Sequence, residues 1–141
     1  MAGHDGYGKR LLMQAAGNVA KLRGPSLEVD YGVGRPARID GTVGGTIAIE
    51  FESRVSKQVR GAVLDLICHP FPKKLLALLP VHMSDPATTA VQCRNILRRF
   101  CPPESFRVVV LKGSGEDPHD EHDAALLATA IAELKARGSL R

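Results

Sequence analysis

The sequence predicts a single α/β domain, residues 1–141, in which a mixed β-sheet lies between helices. Segments with helical apolar spacing alternate with short strand-like segments along the whole chain. The first strands follow one another directly, as in an antiparallel meander, whereas a helix separates each later strand from the next, which favours parallel pairing. The length and the 44% hydrophobic content are those of one ordinary globular domain.

The expected order of elements is α-β-β-β-α-β-α-β-α. Apolar residues recur at helical spacing over residues 7–22, and Gly24-Pro25 ends this first helix. Alternating or continuous apolar residues predict the strands, over residues 26–31, 37–43, 46–53, 74–82 and 106–111. The later helices are expected to begin at the capping residue Ser56, at Asp85-Pro86 and at Ala124.

The second and third strands are expected to form a hairpin at Gly44-Gly45, and its loop length decides which side chains face one another. A two-residue loop places Asp40 opposite Ile49 and on the wrong face. A three-residue loop, or a bulge, places Asp40 opposite Glu50. We predict the second arrangement, because glycine is the residue that a bulged loop requires.

Two carboxylates, Glu50 and Glu52, are expected on one face of the third strand, because period-two alternation puts the large apolar side chains on the other. Adjacent anions raise each other's pKa and lose solvation, so a positive charge is expected between them. A divalent cation with oxygen ligands is the simplest such charge. Asp40, Glu50 and Glu52 are therefore the predicted metal ligands. The open alternative is a solvated strand face whose glutamates pair with nearby basic residues, Arg38, Arg54 or Lys57.

Asp40, the nine residues after it, Glu50-Phe51-Glu52 and a following helix together resemble the signature of the PD-(D/E)XK nucleases. The resemblance covers residues 7–82 and implies a restriction-endonuclease-like αβββαβ core, with the rest of the chain completing it. It also implies a Mg²⁺-dependent DNA endonuclease, either restriction-endonuclease-like or junction-resolvase-like, with Mn²⁺ as an alternative metal. A homodimer is expected by the same resemblance, because two such domains are the usual way to cut two strands.

The resemblance assigns roles to individual residues. Asp40 matches the metal-binding Asp and Glu50 matches the second carboxylate, while Glu52 stands where the family usually has Lys. Glu52 is expected to hold a second metal ion or to act as general base, and Lys57 to contact the scissile phosphate. The predicted catalytic residues are thus Asp40, Glu50, Glu52 and Lys57. The predicted DNA-contacting residues are basic, namely Arg38, Arg54, Lys57 and Arg60.

Glu52 leaves the activity of the site open, because the family's Lys at this position orients or activates the attacking water. Some restriction enzymes use Glu-x-Glu there and remain active, and others carry the Lys on the next helix, where Lys57 and Arg60 stand. The alternative is a catalytically inactive nuclease-fold module that binds DNA or another protein. In a third interpretation, the fold is unrelated and the motif is a coincidence. The nuclease prediction requires the second and third strands to be adjacent, with Asp40 close to Glu50.

The overall charge allows a nucleic-acid partner without requiring one. The chain has 19 Lys+Arg against 15 Asp+Glu, a net charge of +4. A basic cluster on the expected third helix, Arg94, Arg98 and Arg99, either contacts phosphates or is a solvated face. The absence of Trp and the 4% aromatic content argue against platforms on which bases stack.

Other candidate groups are expected to be structural. The three cysteines fit neither a disulfide framework nor a zinc motif, which indicates reduced thiols in a cytoplasmic protein. No apolar run is long enough for a membrane span, and no signal peptide is evident. His69 precedes Pro70 in a turn. The acidic residues near His119 and His122 suit a helix N-terminus better than a second metal site.

Overall fold

The computed structural model of the chain describes residues 3–54 and 57–139. The helices in this part of the chain are α1 (Gly3–Ala16), α2 (Lys57–Cys68), α3 (Pro86–Phe100) and α4 (Asp120–Ser139). The strands are β1 (Ala20–Lys21), β2 (Glu28–Val29), β3 (Ala37–Arg38), β4 (Gly41–Val43), β5 (Ile47–Glu52), β6 (Lys73–Leu78) and β7 (Phe106–Val110). The predicted capping residue Ser56 lies outside the described residues.

Five of these strands form one mixed sheet in the order β1-β4-β5-β6-β7. The pairs β1–β4 and β4–β5 are antiparallel, whereas β5–β6 and β6–β7 are parallel. The parallel pairs are connected through α2 and α3, as expected for strands that a helix separates. Strands β2 and β3 form a separate two-stranded antiparallel sheet. A mixed α/β fold with a central sheet flanked by helices is therefore confirmed.

Helices cover both faces of the central sheet, which divides the buried core into two clusters. On one face, α1 and α4 pack on the sheet through residues that include Tyr7, Leu11, Leu127, Ile131 and Leu134. On the other face, α2, α3 and the small sheet contribute buried residues that include Val29, Ile39, Val63, Leu66 and Leu97. Strand β6 is buried on both faces, which explains its continuous apolar sequence.

The predicted first helix is too long. The first strand of the central sheet consequently lies earlier in the chain than predicted. Helix α1 ends at Ala16 because Gly17 adopts a left-handed backbone conformation with φ of 59°. Residues 20 and 21, predicted as helix, instead form the edge strand β1 and pair with β4. The predicted strand at 26–31 is reduced to β2 and pairs outside the central sheet. The antiparallel meander is consequently β1-β4-β5.

The predicted second strand is also interrupted, and Asp40 lies at the interruption. Residues 37–43 were expected to form one strand, but they divide into β3 and β4. At the break, the Ile39 N–H donates to the Leu27 carbonyl beside β2, at 2.9 Å. The next N–H, of Asp40, donates to the Ile49 carbonyl in β5, at 3.1 Å. The chain thus passes from the small sheet to the central sheet within two residues.

The remaining elements follow the prediction more closely. Asp85 caps α3 by accepting a hydrogen bond from the Thr88 N–H at 3.1 Å, and Pro86 is the first helical residue. Strand β7 coincides with the predicted fifth strand except at its last residue. Helix α4 begins four residues before the predicted Ala124, because Asp120, Glu121 and Asp123 form its acidic first turn.

Candidate active site

The hairpin between β4 and β5 has the predicted three-residue loop. Val43 pairs with Ile47 and Gly41 pairs with Ile49, so the same register places Asp40 opposite Glu50. Gly44 and Gly45 have φ of 63° and 72°, values that favour glycine. The prediction that Asp40 and Glu50 lie side by side on neighbouring strands is therefore confirmed.

Backbone N–H groups hold the side chains of both Asp40 and Glu50 in place. The Asp40 N–H donates to Glu50 Oε1 at 3.0 Å, and the Phe51 N–H donates to Asp40 Oδ2 at 2.7 Å. Glu50 is 7% exposed, and Asp40 is half-buried. A hydrogen bond between the two carboxyl groups, which forms when one of them is protonated, is one of the causes that raise the pKa of Glu50.

Burial is the largest cause that raises the pKa of Glu50 well above the ordinary range of a glutamate. The negative charges of Asp40 and Asp65 raise the pKa further, while the hydrogen bond from the Asp40 N–H opposes this effect. The neutral acid is therefore the favoured form of Glu50 at neutral pH. A cation that bound between Asp40 and Glu50 would have to displace this proton.

Glu52 lies on the same face of β5 as Glu50, as predicted, but its carboxylate binds a different group. Both glutamates are 7% exposed and line the same pocket. Glu52 Oε2 accepts hydrogen bonds from the Arg54 N–H at 2.8 Å and from Arg54 Nε at 3.1 Å. Within residues 3–54 and 57–139, no three His, Cys, Asp or Glu side chains form a group that could hold a metal ion. The role of Glu52 as a third metal ligand stays a prediction.

The carboxylates open into a pocket of about 310 Å³ between β5 and α2. Its charged and amide-bearing lining residues are Arg38, Asp40, Glu50, Glu52, Arg54, Gln58 and Asp65. The side chains of Arg38 and Arg54 are 50% and 67% exposed, so both guanidinium groups can reach a ligand from solvent. Lys57 and Arg60 are not among the lining residues. Arg60 instead lines two pockets beside α3, together with Thr89 and Gln92.

Asp65 is the acidic residue of this pocket that the sequence prediction missed. It lies on α2, and its Oδ1 accepts a hydrogen bond from the Tyr31 hydroxyl at 2.5 Å. Tyr31 follows β2, so this bond connects the small sheet to the helix that covers the site. Gln58 and Asp65 are separated by two helical turns and therefore lie on the same face of α2. This spacing in the sequence could have predicted that Asp65 faces the site together with Gln58.

The other candidate groups have structural partners. The ring of His69 accepts from the Phe71 N–H at Nδ1 and donates from Nε2 to the Ser26 carbonyl, at 3.1 and 2.7 Å. Arg94 donates to the Val108 carbonyl at 2.9 Å, and Arg98 to the side chain of Asn95 at 2.9 Å. Cys68, Cys93 and Cys101 are free thiols, as expected.

Comparison with family models, with curated proteins and with solved structures finds no match for this chain. In the described part of the chain, none of the helices has the length and apolar character needed to cross a membrane. A function for this chain therefore has to be inferred from the geometry of the pocket between β5 and α2.

Proposed function

We propose that the chain is a Mg²⁺-dependent DNA endonuclease with a restriction-endonuclease-like fold, and that Asp40 and Glu50 form its metal site. The observation that carries the proposal is that Asp40 lies opposite Glu50 on the neighbouring strand, with its N–H bonded to Glu50 Oε1 and with both residues lining one pocket. Two acidic side chains that share one proton inside a pocket form a site at which a divalent cation can replace that proton.

The order of elements supports the same proposal. The series α1-β1-β4-β5-α2-β6 follows the αβββαβ order of the nuclease core that the sequence motif resembles. Strands β4 and β5 are adjacent and antiparallel, and β5 and β6 are parallel across α2. In this assignment the small sheet of β2 and β3 is an insertion between the first and second core strands.

The donor set fits Mg²⁺ better than a softer metal. Mg²⁺ is commonly held by one or two carboxylates and retains several waters or binds substrate phosphates, so it does not need a complete protein cage. Asp40 and Glu50 would hold it, with Mn²⁺ as the alternative. Bound in this place, the ion would supply an acidified water and would offset charge on the leaving oxygen of a phosphodiester.

The other residues of the pocket have proposed roles in binding and orienting the substrate. Arg38 and Arg54 provide exposed guanidinium groups for the phosphates on either side of the scissile bond. Glu52 holds Arg54 through two hydrogen bonds and is the proposed general base. Lys57 begins α2 outside the pocket lining, and Arg60 lies farther along the helix. Both are therefore assigned to flanking DNA rather than to the scissile phosphate.

The partners of this proposal are DNA and a second copy of the chain, in the cytoplasm. A homodimer would supply one site for each strand of a duplex.

One observation favours the second candidate function, an inactive nuclease-fold module that binds DNA or another protein. Glu52 stands where the related motif has Lys, and it is paired with Arg54. An activity test separates the two candidates.

The decisive experiment is the nicking of supercoiled plasmid in the presence of Mg²⁺ or Mn²⁺. We expect metal-dependent nicking by the wild type and a loss of at least about a hundredfold in Asp40→Ala and Glu50→Ala, because each substitution removes a metal ligand. Glu116→Ala is the matched control, since it removes an exposed carboxylate from a loop outside the pocket. Absence of nicking, together with no rise in Tm on addition of either metal, would overturn the metal-site assignment. If the protein bound DNA but showed neither nicking nor a metal-dependent rise in Tm, the inactive module would be favoured.

A further inference from the structure

A second pocket, of about 480 Å³, lies near the amino-terminal ends of β6 and β7. It shares no lining residue with the pocket of the candidate active site. The end of α2, the turn before β6 and the segment after α3 form its walls. Most of the wall is apolar, through Ile67, Pro70, Phe71, Pro72, Phe100 and Pro102.

Lys74 gives this apolar pocket a buried positive charge. Lys74 is 5% exposed, and its Nζ donates a hydrogen bond to the His69 carbonyl at 2.6 Å. An ammonium group has three donors. Within residues 3–54 and 57–139, no carboxylate forms a salt bridge with Lys74. The hydrogen bond that its ammonium group makes there is the one to the His69 carbonyl. Lys74 lines the pocket, and its ammonium group can donate to a ligand there as well as to the His69 carbonyl.

The electrostatics of the pocket favour a single anionic group. Burial lowers the pKa of Lys74, and the nearby thiols of Cys101 and Cys68 offset this effect only in part. A buried cation without a carboxylate partner is costly, so a bound anion would recover part of its lost solvation. Glu104 is the acidic residue of the lining, and it is half-buried and has contacts of its own.

His69 fixes the aromatic wall of the pocket through its ring contact and its hydrogen bonds. Its ring packs edge-on against Phe71, with centroids 4.7 Å apart, and its two nitrogens bind the Phe71 N–H and the Ser26 carbonyl. Burial lowers the pKa of His69, which keeps the ring neutral in this arrangement. The aromatic wall is thus formed before a ligand arrives, as is usual for small-molecule sites.

We propose that this pocket binds a small molecule with an apolar body and one carboxylate, and that the carboxylate pairs with Lys74. The apolar body would lie against Phe71 and Phe100, and the pocket volume falls in the range of about 300–1,000 Å³ that small-molecule sites occupy. Phe100 is 64% exposed although it is a large apolar side chain, and a ligand in the pocket would cover it. The proposal is independent of nuclease activity.

NMR titration with phenylacetate, and with its neutral counterpart phenylacetamide, tests the proposal directly. We expect phenylacetate to shift the amide signals of Phe71, Cys101 and Ser105 with a Kd of about 1 mM or tighter. Phenylacetamide and the Lys74→Met variant with phenylacetate should each bind at least about tenfold more weakly, because the charged hydrogen bond is absent. Lys112→Met is the matched control, since it removes an exposed ammonium elsewhere and should leave binding unchanged.

Equal shifts with the acid and the amide, or no shift at the three amides with the acid, would overturn the proposal. Phe100→Ala provides a second variant that does not depend on replacing a buried side chain. It should keep the fold and weaken phenylacetate binding, since it removes one apolar wall. Unchanged phenylacetate affinity in Phe100→Ala would contradict the assignment of the ligand body to this wall.

Discussion

At the scale of single residues, the protonation of Glu50 is the property that most affects the candidate active site. Its side chain is buried beside Asp40 and faces the charge of Asp65, so the neutral acid is the favoured form. The Tyr31 hydroxyl holds Asp65 in place by a hydrogen bond, so a residue that follows the small sheet fixes one of the charges that act on Glu50. A metal ion and a proton therefore compete for the same pair of carboxyl groups.

Glu50→Gln should remove a pH dependence from the stability of the fold. Because the folded pKa of Glu50 is raised, the folded state retains a proton that the unfolded state releases. This contribution to stability is complete below the ordinary pKa of a glutamate and is lost as the pH rises through the raised pKa. We expect the Tm of the wild type to fall relative to that of Glu50→Gln between about pH 5 and about pH 8.

Mg²⁺ provides the second arm of this experiment. The ion binds the ionised pair, so the rise in Tm that it causes should grow with pH in the wild type and should be absent in Glu50→Gln. Parallel pH profiles of the two proteins without metal would show that Glu50 is ionised in the folded state, contrary to this expectation.

At the scale of elements, the β4–β5 hairpin determines whether the site exists. Its three-residue loop sets Asp40 opposite Glu50, whereas a shift of one residue would turn one carboxylate to the opposite face of the sheet. Gly44 and Gly45 adopt left-handed conformations, and a Cβ at either position would meet no atom within 4 Å. The requirement for glycine at these positions is therefore conformational and not a matter of space.

Alanine substitutions in this loop should destabilise the protein by backbone strain alone. We expect Gly44→Ala and Gly45→Ala each to lower the free energy of unfolding by about 1 kcal/mol, because alanine disfavours positive φ. Gly6→Ala is the matched control, since Gly6 lies within α1 and also has open space at its Cβ. It should raise the free energy of unfolding by about 0.5–1 kcal/mol, because alanine favours a helix. Urea unfolding measures both effects, and shifts of the same sign would contradict the conformational explanation.

At the scale of the whole molecule, a buried network joins the first helix to the last. Asp123 of α4 is fully buried and accepts hydrogen bonds from the Tyr7 hydroxyl at 2.6 Å and from the Lys112 and Gly113 N–H groups at 2.8 Å. Tyr7 in turn accepts a hydrogen bond from the His119 N–H at 3.0 Å. This network fastens α1, α4 and the loop after β7 to one another.

Asp123→Asn should therefore destabilise the fold, by about 3 kcal/mol, because an amide cannot replace a buried carboxylate that accepts several hydrogen bonds. Burial tends to raise the pKa of Asp123, but its hydrogen bonds outweigh burial and lower it. Its contribution is thus present above the ordinary pKa of an aspartate and is lost as the pH falls through the lowered pKa, opposite in sign to that of Glu50.

Asp120→Asn is the control for this substitution. Asp120 lies in the same helical turn, but its salt bridge to Arg10 is exposed, so its loss should change stability little. Thermal unfolding of the two variants at neutral and acidic pH measures the difference. Equal destabilisation by both would show that the buried network does not hold the helices together.

The amino-acid sequence by itself determined the features that depend on near neighbours in the chain. The glycines of the hairpin and the alternation in β5 predicted that Asp40 would face Glu50, and Asp85-Pro86 predicted the start of α3. Loop conformation, strand periodicity and helix capping are decided within a few residues, so their physical causes are visible in the sequence.

Only the tertiary structure decided which distant segments meet. Residues 20 and 21 form the edge of the sheet because β4 offers them backbone partners, and the β2 segment pairs with β3 instead. The same holds for the contact of Tyr31 with Asp65 and for the burial of Lys74 in an apolar pocket. Such pairings depend on the packing of the whole core, whose free energy is shared among residues far apart in the chain and leaves no local pattern.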